Sequence, residues 1–277
     1  TLAPRDPAVA KLIERVRAEV PEQAQPIVVE GVRRVLDFQD VAYANLYLDR
    51  LKKISQFARP DDVALIRETG RYLALWMSYE DAIRVAELKT RSSRFDRVHK
   101  EVRAADGQIV AINEYMHPRV EEISEILPFA SVGRWLMRPT WGNKLVKSQT
   151  KSGRVIQTSS VRGFIPLYLL SGFKRWRRRT LRYQAEQQRI EGWLKQIEQA
   201  ADAHPALALE IAQCQRLVKG YGDTHARGLR NYQTVMSALE RNPSTLSPAI
   251  LGALRDAALA DEHGVKLEAA LRQYALV

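Results

Sequence analysis

The 277 residues hold 43 Lys and Arg against 32 Asp and Glu, a formal net charge of +11, with 45% hydrophobic and 27% charged residues. That balance belongs to a folded chain with enough apolar content for a large core, and it excludes a disordered polyampholyte. The excess charge is local: between Ile126 and Ala185 there are thirteen basic residues and no Asp or Glu, while the rest of the chain holds 30 basic against 32 acidic side chains.

A single cysteine, Cys214, excludes an intramolecular disulfide and a cluster held by four thiolates. The five histidines include no pair at the spacing that puts two ligands on one helix face, so no metal site is assigned. The apolar run Phe164 to Phe173 is half the length of a membrane-spanning helix and contains Pro166 and Gly172. The N-terminus has no basic and apolar leader pattern, and a cytoplasmic setting is expected. A start at Thr1, without methionine, reads as a processed chain or a piece of a longer one.

Helical signals dominate from the beginning. Asp6-Pro7 is a cap followed by a first-turn proline, and Val9, Leu12, Ile13, Val16 and Val20 then share one face. Similar stripes run from Ile27 to Leu36, Val41 to Ile54 and Val63 to Leu88, the last opened by Asp61 as cap and divided at Gly70. Residues 90–104 predict an exposed helix with a solvated basic face. After the Ala105-Asp106-Gly107 turn, Gln108 to Tyr115 and Arg154 to Val161 are the strand-like runs, enough for one small ribbon. Between them His117-Pro118 opens a short helix reaching Leu127, and Pro139, Gly142 and Gly153 break the stretch from Pro128 to Gly153.

From Pro166 to Ala201 the periodicity predicts one long helix. Pro205 restarts the chain as a helix ending at Lys219-Gly220, and Gly220-Tyr221-Gly222-Asp223 closes it and supplies Asp223 as the next cap. Asn242-Pro243-Ser244-Thr245 is a loop, followed by two Ala- and Leu-rich helices around Gly264. The expected fold is mainly α, a multi-helix domain over 1–277 with at most one small β ribbon.

The densest chemical feature is Lys174-Arg175-Trp176-Arg177-Arg178-Arg179-Thr180-Leu181-Arg182. On an α-helix Lys174, Arg177 and Arg178 take one side of the apolar stripe, and Arg175, Arg179 and Arg182 the other. Arginine in this excess suits planar, bidentate contact with carboxylate or phosphate. Two readings stand: neutralisation by carboxylates inside the fold, or a docking face for another protein. The run Phe164 to Phe173 is read as a buried helix, because an interfacial anchor separates apolar and basic character around a helix and this one separates them along it. Nucleic acid is not favoured, since no recognised module spacing accompanies the basic residues.

No catalytic set is assigned. Gly220 and Gly222 follow a helix and complete no phosphate-loop pattern. Ser159, Ser160 and Ser171 lack an elbow sequence, Cys214 reads as a packing residue, and Glu80-Asp81 as solvated or ion-paired.

Several strings together carry a family resemblance: Leu36-Asp37-Phe38-Gln39-Asp40-Val41, Leu75-Trp76-Met77-Ser78-Tyr79-Glu80-Asp81, Thr158-Ser159-Ser160-Val161-Arg162-Gly163-Phe164, Arg175-Trp176-Arg177-Arg178-Arg179-Thr180-Leu181, and Lys219-Gly220-Tyr221-Gly222-Asp223-Thr224-His225. In this order, over most of the chain, they resemble the C-terminal region of the beta subunit of indolepyruvate oxidoreductases. The resemblance implies membership of a complex that oxidatively decarboxylates aryl-pyruvates to aryl-acetyl-coenzyme A, with ferredoxin as electron acceptor. Thiamine diphosphate and iron–sulfur clusters are then expected in the alpha subunit, and no cofactor in this chain. Gly222-Asp223-Thr224 departs from the thiamine-binding signature at its third position, and the α/β domain that opens such beta subunits is not evident here. The implied role is an accessory, non-catalytic domain whose partners are the alpha subunit and the N-terminal domain of its own beta subunit, with ferredoxin or coenzyme A as further anionic candidates. The competing reading is a stand-alone basic helical module for an acidic membrane surface or nucleic acid.

Overall fold

The computed structural model describes residues 6–59, 63–105, 107–108, 110–116, 119–127, 129–150, 154–243 and 245–276. The described chain folds as α1 (Pro7–Glu19), α2 (Gln25–Phe38), α3 (Val41–Phe57), α4 (Val63–Met77), α5 (Ala82–Thr90) and α6 (Ser92–Glu101), then β1 (Asn113–Met116), α7 (Val120–Ile126), α8 (Ala130–Met137), α9 (Trp141–Thr150) and β2 (Arg154–Gln157). It continues through α10 (Val161–Ser171), α11 (Leu181–Ala201), α12 (Pro205–Cys214), α13 (Gly222–Arg241), α14 (Pro248–Ala260) and α15 (Val265–Gln273). The mainly α class expected from periodicity is the class the chain adopts. β1 and β2 pair antiparallel in the register Asn113 with Gln157 and Met116 with Arg154, the single ribbon expected.

The chain divides into two compact units, where periodicity alone reads 1–277 as one domain. Unit 1 comprises Thr1–Tyr79 and Glu186–Val277, and unit 2 is Glu80–Ala185, inserted in sequence between the two halves of unit 1. Charge divides with them. Unit 1 carries 22 basic and 22 acidic residues, and unit 2 carries 21 basic against 10 acidic, so the whole formal excess of +11 belongs to unit 2.

Unit 1 buries the apolar stripes read from the sequence. Asp6 caps α1 by accepting from the Ala8 amide at 2.8 Å, and Leu12 and Val16 turn inward from that helix. Val28, Val32 and Val35 of α2 pack with Tyr47, Leu51 and Ile54 of α3 and Leu65 and Leu73 of α4, all buried. The aromatic centre is Trp76, whose ring lies 5.5 Å from that of Trp193 and 5.3 Å, edge-on, from that of Tyr232. Burying large rings in pairs of this geometry adds to the area they remove from water. The Trp76 indole donates to Glu186 Oε2 at 2.9 Å, and the same buried carboxylate receives Arg189 at 3.0 Å, so neither polar group is buried unsatisfied.

Several boundaries differ from expectation. α4 runs without interruption through Gly70, whose carbonyl accepts from the Tyr47 hydroxyl at 2.9 Å, and the break comes instead between Met77 and Ala82. There Asp81 caps α5 through the Arg84 amide at 2.6 Å. α13 starts at Gly222 with Tyr221 in the cap position and Asp223 in the first turn, while Gly220 and Gly222 take positive φ of 77° and 63° at the bend. Left-handed backbone of that kind is the reason for glycine at both positions. The caps proposed at Asp61 and the His117-Pro118 helix start lie outside the described residues.

Candidate docking site

The long helix expected from Pro166 to Ala201 is three segments. α10 ends at Ser171, Gly172–Arg179 forms a 3₁₀ turn, and α11 begins at Leu181 after Thr180. Pro166 lies within α10 instead of opening it. Thr180 makes the second junction: its hydroxyl donates to the Arg177 carbonyl at 2.7 Å and accepts from the Tyr183 amide at 3.2 Å.

The cationic run therefore follows a period of three, and the two α-helical edges deduced from spacing do not form. Lys174, Arg177 and Thr180 share the column that turns inward, with Arg177 and Thr180 both about 1% exposed. Arg175 and Arg178 share the next column and are exposed, as is Arg179 beyond Trp176. Arg177 reaches Asp81 bidentately, Nε to Oδ2 at 2.8 Å and a terminal nitrogen to Oδ1 at 3.2 Å, with each side chain 1% exposed. Arg182, also largely enclosed, pairs with Glu125 of α7 at 3.3 Å. Arg177 and Arg182 are thus paired with carboxylates inside the fold, and the side chains of Arg175, Arg178 and Arg179 are exposed. The Arg175 guanidinium lies over the Trp176 ring at 4.3 Å, and Phe173 meets that ring edge-on at 5.5 Å, so stacking holds the Arg175 side chain in place.

α10, read from the sequence as a buried helix, is buried on one side only. Gly163 and Leu167 face inward, whereas Val161, Ile165, Tyr168 and Leu169, at i, i+4, i+7 and i+8, are exposed. The helix is apolar nearly all round, so its periodicity carries no mark of which side is covered. Ser160 caps it, accepting from the Gly163 amide at 3.2 Å. Gly163 is required by proximity: a Cβ there would lie 2.2 Å from the Gln157 carbonyl oxygen of β2. Beside α10 lies an open cleft of about 610 Å³ whose apolar wall is Phe95, Val110, Ile112, Val161, Phe164 and Ile165. The ribbon, whose β1 directly follows wall residue Ile112, is tied down by Glu114, which accepts from both Lys89 and Arg94.

Exposure is concentrated in the same unit. Thirteen of the sixteen large hydrophobic side chains exposed among the described residues lie in unit 2, including Trp141 at 73% and its edge-on neighbour Trp135 at 5.5 Å. Arg134, Arg138, Lys144 and Arg162 of the acid-free segment are exposed as well. Lys151 and Gly153 of the segment fall outside the described residues.

The other sequence candidates have structural occupations. The Ser159 hydroxyl accepts from the Ile112 amide at 3.0 Å, and that of Ser171 donates to the Tyr168 carbonyl at 2.6 Å. Cys214 is fully buried, and burial pushes its thiol up to about 12, well away from a reactive thiolate. Among the described residues no group of three or more His, Cys, Asp or Glu side chains is placed to hold a metal ion, and no helix is long and apolar enough to cross a membrane.

Comparison of the sequence with family models finds one match, to DUF6537, a family of unknown function, over residues 24–238. The chain belongs to the DUF6537 family. The matched span contains all of unit 2 and reaches from the start of α2 into α13, so the exposed cationic turn and α10 are part of the DUF6537 region, while α14 and α15 follow it. Neither a curated protein nor a solved structure matches the chain.

Proposed function

We propose that this chain is a non-catalytic assembly module whose 80–185 unit docks on an acidic surface of another polypeptide. The observation that carries this reading is the coincidence, in one unit, of the entire +11 charge excess and, among the described residues, thirteen of sixteen exposed large hydrophobic side chains. A charged rim steers association and sets partner choice, while apolar anchors supply the burial that holds a complex together. The resemblance to indolepyruvate oxidoreductase beta subunits supplies the identity of the partner: the alpha subunit that carries thiamine diphosphate and iron–sulfur clusters, together with the N-terminal domain of the beta subunit. In this arrangement the module contributes to an aryl-pyruvate oxidoreductase without itself touching the substrate, and ferredoxin or coenzyme A would meet the same cationic field.

The test is co-expression of the chain with the alpha subunit and the beta N-terminal domain, followed by sedimentation analysis across ionic strength. A complex is expected that weakens with salt, and that weakens by about ten-fold or more when Arg175, Arg178 and Arg179 are all changed to Glu. Absence of a complex at low salt, or a reversed variant that assembles equally well, would sink the reading. The exposed face of α10 beside basic residues favours one second reading, binding to an anionic membrane surface. Vesicles of phosphatidylserine and phosphatidylcholine, with a DNA duplex in parallel, separate the two: retention on vesicles at high salt points to the membrane, and retention on DNA that collapses with salt points to nucleic acid.

A further inference from the structure

The geometry points to a second site, in unit 1 and independent of the docking reading: a cleft for an elongated organic ligand with an anionic group at each end. It measures about 330 Å³ and lies between α13 and the residues of α15 and beyond. Its polar lining is Arg230, Gln233, Thr234, Ser237 and Arg241, and none of these five side chains has a hydrogen bond or ion pair among the described residues. Several hydroxyls at or within helices bond back to the preceding turn, as Ser78 does to Ala74 at 2.7 Å, Thr90 to Ala86 at 2.9 Å and Ser124 to Val120 at 2.7 Å. Those of Thr234 and Ser237 do not, and they remain available to a ligand.

Among the described residues the lining offers donors and no carboxylate. Arginine donates only, and hydroxyl and amide groups donate as readily as they accept, so the complementary ligand is an anion. The acids on the same helices are engaged elsewhere, Glu240 with Gln196 at 2.7 Å and Glu268 with Arg272. Among the described residues nothing of opposite charge lines the cleft to satisfy the two guanidinium groups.

Spacing sets the length of the ligand. Arg230 with Thr234 and Ser237 with Arg241 are each i, i+4 pairs, so each end of the cleft has one guanidinium fork and one hydroxyl on the same helix face. The two arginines start about 16 Å apart along the axis, further than one tetrahedral anion spans. Two anions, one for each pair, match the arrangement. Between them the floor is apolar, formed by Ala238, Leu271 and Leu276, which are 5%, 3% and 7% exposed. A bisphosphate and a long dicarboxylate share this chemistry.

Calorimetric titration of the full chain at low ionic strength tests the assignment, with fructose 1,6-bisphosphate, suberate and inorganic phosphate as probes. At least one dianion is expected to bind saturably, one per chain and about ten-fold or more tighter than inorganic phosphate, and the stronger of the two identifies the end groups. Arg230→Ala and Arg241→Ala should each weaken it by about ten-fold or more, while Arg→Lys at either position should retain part of the affinity. The triple reversal at Arg175, Arg178 and Arg179 should leave this binding unchanged, which separates it from general attraction to the cationic unit. The proposal is overturned by absence of saturable binding of either dianion at about 10 mM, by binding indifferent to Arg230→Ala and Arg241→Ala, or by a loss confined to one of them. Retained circular dichroism of both variants, whose substituted side chains are exposed, keeps a folding defect from imitating a positive result.

Discussion

Arg177 and Asp81 are each 1% exposed and meet through two hydrogen bonds, so their energetics are those of buried ions, not of a surface pair. Removing one partner leaves the other charged in a low-dielectric surrounding, whereas removing both charges together avoids that penalty. Arg177→Met should therefore cost unit 2 about 3–5 kcal/mol in urea unfolding. Asp81 has a second task as the cap of α5, which asparagine also performs well. The double variant Asp81→Asn with Arg177→Met should consequently unfold at higher urea than Arg177→Met alone, and equal or lower stability would show that the ion pair is not what the burial enforces. The sequence marks both residues, Asp81 as solvated or ion-paired and Arg177 within the cluster, yet does not join them. They are separated by 96 positions, and which of five neighbouring arginines turns inward depends on the pitch of the turn. The five cleft residues on α13 fall on one i, i+3, i+4, i+7, i+11 stripe, but their lack of internal partners is a property of the packed chain alone.

At the scale of elements, the helices whose polar faces contrast with their apolar ones were readable, and those without contrast were not. α1 and α2 follow their stripes, with Leu12, Val16, Val28, Val32 and Val35 inward, because burial on one side leaves a periodic mark. α10 has no such mark, and Lys174 to Arg182 continue a helical period across a junction that Thr180 ends. What fixes α10 is instead a close approach. A Cβ on Gly163 would meet the Gln157 carbonyl oxygen at 2.2 Å and its carbon at 2.8 Å, both backbone atoms that cannot swing aside. Gly163→Ala should destabilise unit 2 by about 1–3 kcal/mol, as overpacking against a fixed neighbour does. Gly172, nine residues on, takes φ −61° and ψ −18° with open space around its missing Cβ. Gly172→Ala is accordingly expected to be neutral or to stabilise by about 0.4–1 kcal/mol through the unfolded chain. Thermal melts of the two variants check the contrast, and a loss at Gly172 as large as that at Gly163 would remove the close-approach argument.

For the whole molecule, the division into units reassigns a number that describes neither of them: +11 is the sum of a formally neutral unit 1 and a unit 2 that holds all of the excess. The acid-free segment from 126 to 185 locates most of that charge in the sequence. Its extension back to Glu80 depends on which residues pack together, and no composition boundary marks that point. Unit 1 ties its two sequence halves through contacts of its own. Trp76 holds Glu186 at 2.9 Å, Gln187 donates to the Tyr43 hydroxyl at 3.0 Å, and the buried Arg50 reaches Glu191 at 2.6 Å. Tyr79, the last residue before unit 2, is anchored by its ring 5.2 Å from that of Phe38. Both cut points are therefore fixed within unit 1, and a flexible Gly/Ser linker of about ten residues, which reaches about 33 Å, can replace 80–185 at a modest loop-closure cost. The excised protein is expected to fold cooperatively and to keep the near-ultraviolet signal of the Trp76, Trp193 and Tyr232 cluster. It should also lose affinity for the alpha subunit while retaining the dianion cleft on α13. A chain that collapses into a molten state after excision would show that the unit 1 core is not self-sufficient. One that folds and still assembles with the alpha subunit would move the docking surface out of residues 80–185.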